Sequence, residues 1–442
     1  MKKALLFLCT LVVACFLPVK AQKVWSLEEC ISYALENNLL IKRQELSVEY
    51  NQNNYKQSYF NTLPNLNGRL SHGYNSGQYI YQGDLFENNA WSGSGSVSSS
   101  LTLFNGLQTL NDIRQKKYLF LQSQSDLKKR ENDVSIDIAT AYLQVLFSKE
   151  LVDVAKSKLD VTSLQTERTR KMLAVGNVAQ GELLQIKAQE ANDKTSLINA
   201  KNNLDIAFLN LTQLLDLDST GGFDVVVPQN IEVELLSPLE SIQDIYEKAH
   251  ATMPEIKSAE FALKSSERQL SIARGQISPR IDLNGGIASE YKKDENDPTA
   301  RPYSDQLLKD NVSKYVSVGL NVPIFNQLQI KNSISNAKLN VKDFRLQLDI
   351  AQMALYKEVQ QAHADASAAR EKYYSSVEAV NYNEEAFKYT SQKLEVGLVN
   401  SVDYNVAQNN LISAKSSMLQ AKYEYIFKLK ILDLYMDKPI VL

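Results

Sequence analysis

Leu66-Asn67-Gly68-Arg69-Leu70-Ser71-His72-Gly73-Tyr74-Asn75 puts Leu66, Gly68, Leu70 and Tyr74 on one face of an extended chain and Asn67, Arg69, Ser71 and Asn75 on the other. Three more stretches share this period of two. Val97, Leu101 and Leu103 oppose Ser96, Ser98, Ser100 and Thr102; Ile281, Leu283, Ile287 and Tyr291 oppose Asp282, Asn284, Ala288 and Glu290; Val316, Val318, Leu320 and Val322 oppose Tyr315, Ser317, Gly319 and Asn321. A sheet covering a soluble core gives the same alternation. Tyr79, Tyr81, Trp91 and Tyr291, at the loop ends of the stretches, favour lipid-facing strands ending in an aromatic girdle, with Asn67, Arg69, Asp282 and Asn284 turned to a lumen.

The stretches come in pairs because the chain contains one unit twice. Ala34 to Ile41 corresponds to Ala249 to Ile256, and Leu63-Pro64-Asn65-Leu66 to Ser278-Pro279-Arg280-Ile281, both about 215 residues on. Leu103-Phe104-Asn105 corresponds to Ile324-Phe325-Asn326, and Leu173-Ala174-Val175-Gly176 to Leu394-Glu395-Val396-Gly397, at about 221. The difference falls between Pro279 and Phe325, in the charged stretch Tyr291 to Asp310. Each unit opens on a helix-start signal, Ser26-Leu27-Glu28-Glu29 and Ser237-Pro238-Leu239-Glu240, and each first helix is predicted to run to just before Pro64 or Pro279.

Helical patterning then extends over about Leu107 to Leu215 and Leu328 to Leu434, broken mainly at Gly176 and Gly397. Ile138, Ala141, Val145, Ser148, Val152, Ala155 and Leu159 form a heptad seam of small residues. A helix from Leu107 to Lys171 spans about 100 Å, the length of a spacer. The expected organisation is a signal peptide at 1–21; a first repeat at 22–215 with strands within 64–104 and a hairpin tip near 176; an equatorial segment at 216–236 that holds the apolar run Val225-Val226-Val227 and adds a short strand and a small belt around the helices; and a second repeat at 237–442 with strands within 279–325 and a tip near 397.

Lys2 and Lys3, the apolar Ala4 to Leu17 and the small residues up to Ala21 read as a secretory signal cleaved before Gln22, and Val12-Val13-Ala14-Cys15 offers a competing lipoprotein reading. No apolar stretch has the roughly 20 residues of a spanning helix, so membrane insertion must use strands. Removing Lys2, Lys3 and Lys20 leaves 45 basic residues against 51 acidic ones, a net charge near −6, which argues against nucleic acid as a partner. Cys30 is the single cysteine beyond the signal, and His72, His250 and His363 are far apart with no HExxH, CxxC or GxSxG pattern, so no enzymatic chemistry, metal site or cofactor is expected.

Four strands cannot close a barrel, and an open edge cannot face lipid, so several chains must share one. Two chains give a narrow, side-chain-filled barrel; three give twelve strands and room for a lumen. A doubled helix-strand-strand-helix-helix unit behind a signal peptide resembles the TolC-like outer membrane efflux proteins over essentially the whole mature chain. The opening Trp25 to Leu35 is similar to the family's first helix, and Val396-Gly397-Leu398-Val399-Asn400-Ser401-Val402-Asp403 to its hairpin-tip motif; Val175-Gly176-Asn177 departs at Asn177, where Leu is usual.

The resemblance implies an α+β membrane protein: a homotrimer whose shared twelve-stranded transmembrane β-barrel continues into a periplasmic α-helical coiled-coil barrel. It implies a passive exit duct for a tripartite efflux or type I secretion system, with an inner-membrane pump as the energy source and a periplasmic adaptor docked on Val175, Gly176, Asn177, Val396, Gly397 and Leu398. It also implies that Glu182 and Asp403, six residues past the tip glycines, line a periplasmic gate, against the plainer reading that both are helix-start carboxylates favoured by the macrodipole. A different class, a periplasmic coiled-coil scaffold or adaptor without a pore, fits the heptads but lacks a lipoyl-like or β-barrel domain between its arms.

Overall fold

The computed structural model describes residues 23–87, 89–217, 222–227, 239–294, 299 and 301–441. The signal-peptide readings, Ser237 and Pro238 lie outside the described residues. The chain forms two compact units, one from Met1–Glu45, Asp126–Ile256 and Ala351–Leu442, the other from Leu46–Ser125 and Lys257–Ile350. In order the elements are β1 (Lys23–Trp25), α1 (Leu27–Asn37), α2 (Leu39–Phe60), β2 (Asn67–Asn75), β3 (Gln78–Tyr81), β4 (Asp84–Glu87), β5 (Ala90–Phe104), α3 (Gln108–Ala174), α4 (Gln180–Leu214) and β6 (Phe223–Val225). Then follow α5 (Ile242–Thr252), α6 (Pro254–Gly275), β7 (Arg280–Asp294), a short helical turn at 303–310, β8 (Ser313–Asn321), α7 (Gln329–Glu395) and α8 (Ser401–Tyr435).

Duplication extends to element lengths. α1 and α5 have 11 residues, α2 and α6 have 22, α3 and α7 have 67, and α4 and α8 have 35. The left-handed backbone positions repeat at the same offset: Leu107 with Leu328, Gly176 with Gly397, and Asp216 with Asp437.

The continuous first helices expected from the sequence are each two helices. Asn38 and Met253 adopt φ −61° and ψ 129°, extended values that end α1 and α5. At Met253 the cause is Pro254, whose ring disfavours helix in the residue before it. At Asn38 the side chain replaces the missing bonds: Oδ1 accepts from Leu40 N at 2.9 Å, and Nδ2 donates to Leu214 O at 3.2 Å. The second repeat's described helix begins at Ile242, capped by Ser241, whose hydroxyl accepts from Asp244 N at 3.2 Å.

In the helical unit, β1 pairs in parallel with β6, Trp25 opposite Val225, so the equatorial strand is Phe223–Val225 and excludes Val226 and Val227. The Tyr142 hydroxyl reaches the carbonyl oxygens of Val226 at 2.8 Å and Trp25 at 3.2 Å, tying the strand pair to α3. Around it Leu27, Cys30, Ile138, Val145, Leu146 and Leu211 form a buried core. Burial of the Tyr142 ring also pushes its hydroxyl pKa well above the usual value.

In the sheet unit the order is β2-β5-β7-β8, all antiparallel. The long strands β5 and β7 are central, and the nine-residue β2 and β8 are free edges. β3 and β4 form a separate hairpin whose turn residues, Gln82 and Gly83, take φ of 53° and 95°; positive φ at both turn positions suits a tight hairpin.

Candidate functional site

The register sorts the sheet into two faces. Asn67 lies opposite Ser98, and Arg69 opposite Ser96; Asp282 sits between Thr102 and Gly319, and Asn284 between Ser100 and Ser317. These four residues therefore share a face rich in serine. The opposite face carries Leu70, the row Val97 and Ile287, and the row Leu101, Leu283 and Val318. Leu70 is 83% exposed and Val316 81%, so among the described residues much of this apolar face is left open.

At the loop end of the apolar face the aromatic residues meet. His72 stacks on Trp91 with centroids 5.2 Å apart, Tyr74 lies 4.9 Å from Trp91, and Tyr303 packs edge-on against Tyr291 at 4.4 Å. The Tyr291 hydroxyl hydrogen-bonds His72 Nδ1. Tyr291 lies over Gly93, where an added Cβ would sit 2.4 Å from the ring; glycine opposite makes room for the aromatic. The side chains of Tyr79 and Tyr81 lie outside the described residues.

The hairpin tips of the helical unit are built by glycine. Gly176 has φ 80°; its N–H donates to Leu173 O at 2.9 Å, and the Asn177 N–H donates to Met172 O at 2.9 Å. Gly397, with φ 76°, repeats this through Leu394 and, via Leu398, Lys393. This double bond pattern is the Schellman closure of a helix end, and a side chain at either glycine would be strained by its φ. The turn leaves Val175, Val396 and Leu398 at least 70% exposed, an apolar display at the point where a helix pair ends.

Glu182 and Asp403 both line one open cleft at these tips, together with Arg168, Asn177 and Asn400. Each stands in the first turn of its helix. Asn400 caps α8, accepting from Val402 N at 2.9 Å and Asp403 N at 3.0 Å, which leaves the Asp403 carboxylate free of the capping role. α4 starts at Ala179 with no side-chain cap. Arg168 lies 3.6 Å from Glu395, joining the two hairpins by an exposed ion pair.

Two features escaped the sequence reading. Arg280 Nε donates to both carboxylate oxygens of Asp282, at 2.9 and 2.8 Å, and Thr102 donates to Oδ1 at 2.8 Å. Their i, i+2 spacing on one strand face was the available signal. The second is a buried cluster of Lys158, Thr162, Gln189 and Asp193 between α3 and α4, in which Lys158 and Thr162 lie more than thirty residues from Asp193 and meet it only through the hairpin.

A family model described as outer membrane efflux protein matches residues 30–216 and 245–434, one block per repeat. Outer membrane efflux protein BepC of Brucella suis biovar 1 is 20% identical over 335 residues, 76% of this chain and 70% of that protein. Outer membrane protein TolC of Vibrio cholerae is 23% identical over 410 residues, 93% and 84%. Among solved structures, CusC superimposes with a TM-score of 0.79 at 16% identity, covering 94% of this chain and 92% of that one. The Campylobacter jejuni CmeC outer membrane channel does so at 0.77 and 16%, covering 93% and 85%.

Proposed function

Because the chain belongs to the outer membrane efflux protein family, we propose that three copies form one exit duct, a passive conduit through the outer membrane fed by an inner-membrane pump through a periplasmic adaptor. The observation that carries the reading is the sheet: four antiparallel strands, one apolar face exposed, one polar face, and two unpaired edges at β2 and β8. Backbone groups on those edges need partners in lipid, and joining β8 of one copy to β2 of the next supplies them. Three copies give twelve strands, enough for an open lumen lined by Asn67, Arg69, Asp282 and Asn284. The apolar face then meets lipid, and the His72, Tyr74, Trp91 and Tyr291 cluster forms its belt at one membrane boundary. A scaffold without a pore would leave Leu70 and Val316 in water.

The two repeats, 22–215 and 237–442, contribute equivalent helical hairpins to a tunnel in the periplasm. Val175, Gly176, Asn177, Val396, Gly397 and Leu398 are the adaptor-docking surface, and Glu182 and Asp403 line the periplasmic gate, six carboxylates per trimer. Passage needs no chemistry from the duct: direction comes from the pump, and the duct supplies a wetted path.

Cysteine substitution tests the sheet assignment. Asn67→Cys and Asn284→Cys should react with water-soluble thiol reagents, and Leu70→Cys and Leu283→Cys with lipid-soluble ones. The reverse pattern means the faces are exchanged. Uniform reactivity with water-soluble reagents means a soluble sheet and no duct.

A further inference from the structure

The charges on the polar face of the sheet are not equivalent. Asp282 is neutralised by Arg280, which grips both its oxygens. Arg69 on the same face is exposed, and among the described residues its guanidinium has no hydrogen-bond or ion-pair partner.

Strand composition explains this. β2, β5 and β8, reading NGRLSHGYN, AWSGSGSVSSSLTLF and SKYVSVGLN, contain no Asp or Glu. The carboxylates of the sheet are confined to β7, at Asp282, Glu290 and Asp294. Arg69 shares a row with Ser96 and Ala288. Glu290 is one row and two strands away, about 12 Å by strand geometry, with Lys292 of opposite sign beside it; Asp282 and Asp294 are three rows away, about 20 Å along the strands. All exceed the screening length of about 8 Å at physiological ionic strength. The outer side of β2 is the edge that another copy's β8 covers, and β8 has no carboxylate to offer in any register.

We infer that Arg69 is the selectivity residue of the barrel: three copies make a ring of unpaired guanidinium groups that attracts anionic solutes at that level of the duct. The inference rests on the shared barrel proposed above. Twelve tilted strands set a backbone radius of about 12 Å. An arginine side chain reaches roughly half that distance, so a solute on the axis passes within about one screening length of all three charges.

The test is single-channel recording of the purified full-length protein in a planar bilayer under a KCl gradient, with inositol hexakisphosphate as polyanionic probe added to each compartment in turn. The parent and Arg69→Lys should share one reversal potential and be blocked by the probe from one side. Arg69→Gln should lower the chloride-to-potassium permeability ratio about threefold or more, by the screened Coulomb interaction of three charges, and Arg69→Glu should lower it further and abolish the block. Channels of Arg69→Gln and Arg69→Glu with parental reversal potential and block overturn the ring and leave the duct standing. A purified trimer that conducts nothing removes the duct, and the ring with it.

Discussion

Lys158 on α3 lies 3.0 Å from Asp193 on α4, and both side chains are withdrawn from solvent, at 13% and 1% exposure. Thr162 donates to the second carboxylate oxygen at 2.7 Å and Gln189 to the first at 2.8 Å. The equivalent positions of the second repeat, 221 residues on, hold Ala379, Asn383, Asn410 and Ala414. There the hairpin packs Phe387 against Tyr404 with ring centroids 5.2 Å apart. One fold thus closes its two hairpins by different chemistry.

Asp193→Ala leaves the Lys158 ammonium and the Thr162 hydroxyl buried without an acceptor and should cost about 3–5 kcal/mol. The double variant Lys158→Ala, Asp193→Ala imitates the second repeat and should be more stable than Asp193→Ala alone. Thermal or denaturant unfolding in detergent, arranged as a double-mutant cycle, measures this. Equal losses in the single and double variants would show that the pair contributes only packing.

Gly106 and Gly275 face each other so closely that an added Cβ on Gly106 would sit 2.3 Å from the Gly275 carbonyl oxygen, and one on Gly275 2.5 Å from that of Gly106. Alanine at either position should cost about 2 kcal/mol or more through backbone displacement. The repeat counterpart of Gly106 is Gln327, held at φ 53°. Gln327→Gly should stabilise by up to about 1 kcal/mol, since glycine adopts this conformation without strain. A destabilised Gln327→Gly variant would mean that side-chain contacts at Gln327 outweigh its backbone cost.

Glu182→Ala combined with Asp403→Ala should weaken cation selectivity and block by multivalent cations added on the side of the helical tips. In the proposed trimer six carboxylates would stand near one axis and attract such ions even through water and salt. If bilayer recordings of an intact trimer show neither change, the two acids serve as first-turn partners of their helix dipoles.

Burial holds the Glu255 carboxyl above the usual carboxylate range; Glu358 and Asp133 add repulsion, while Lys129 and a backbone hydrogen bond partly offset it. The folded-state pKa is above the unfolded value, so folding favours the protonated acid, and stability is lost as pH rises through the elevated pKa. Glu255→Gln should therefore raise the thermal midpoint at about pH 7 and leave it unchanged near pH 3, where the acid is protonated in both states. An equal shift at both pH values would point to packing as the cause.

The repeat, the strand alternation and the tip glycines were legible because each rests on local pattern: period two, period seven, and positive φ in Val175-Gly176 and Val396-Gly397. The breaks at Asn38 and Met253 were half legible. Met253-Pro254 carries the local signal, whereas Asn38 depends on Leu214 O, 176 residues away. The β3–β4 hairpin hid behind Gln82, since glutamine at φ 53° is not a usual turn residue. Of the candidate sites, membership of one sheet face followed from alternation, but the pairing of Asp282 and the isolation of Arg69 required strand order, which sequence periodicity does not encode.

The most direct measurement of the central claim is conductance through the purified protein alone, inserted in a planar bilayer with no pump, adaptor or nucleotide present. The account predicts discrete ion-conducting steps from a heat-modifiable species whose native mass is three chains. A folded protein of that mass that never conducts, or steps arising from a species of one chain, contradicts a passive duct shared by three copies.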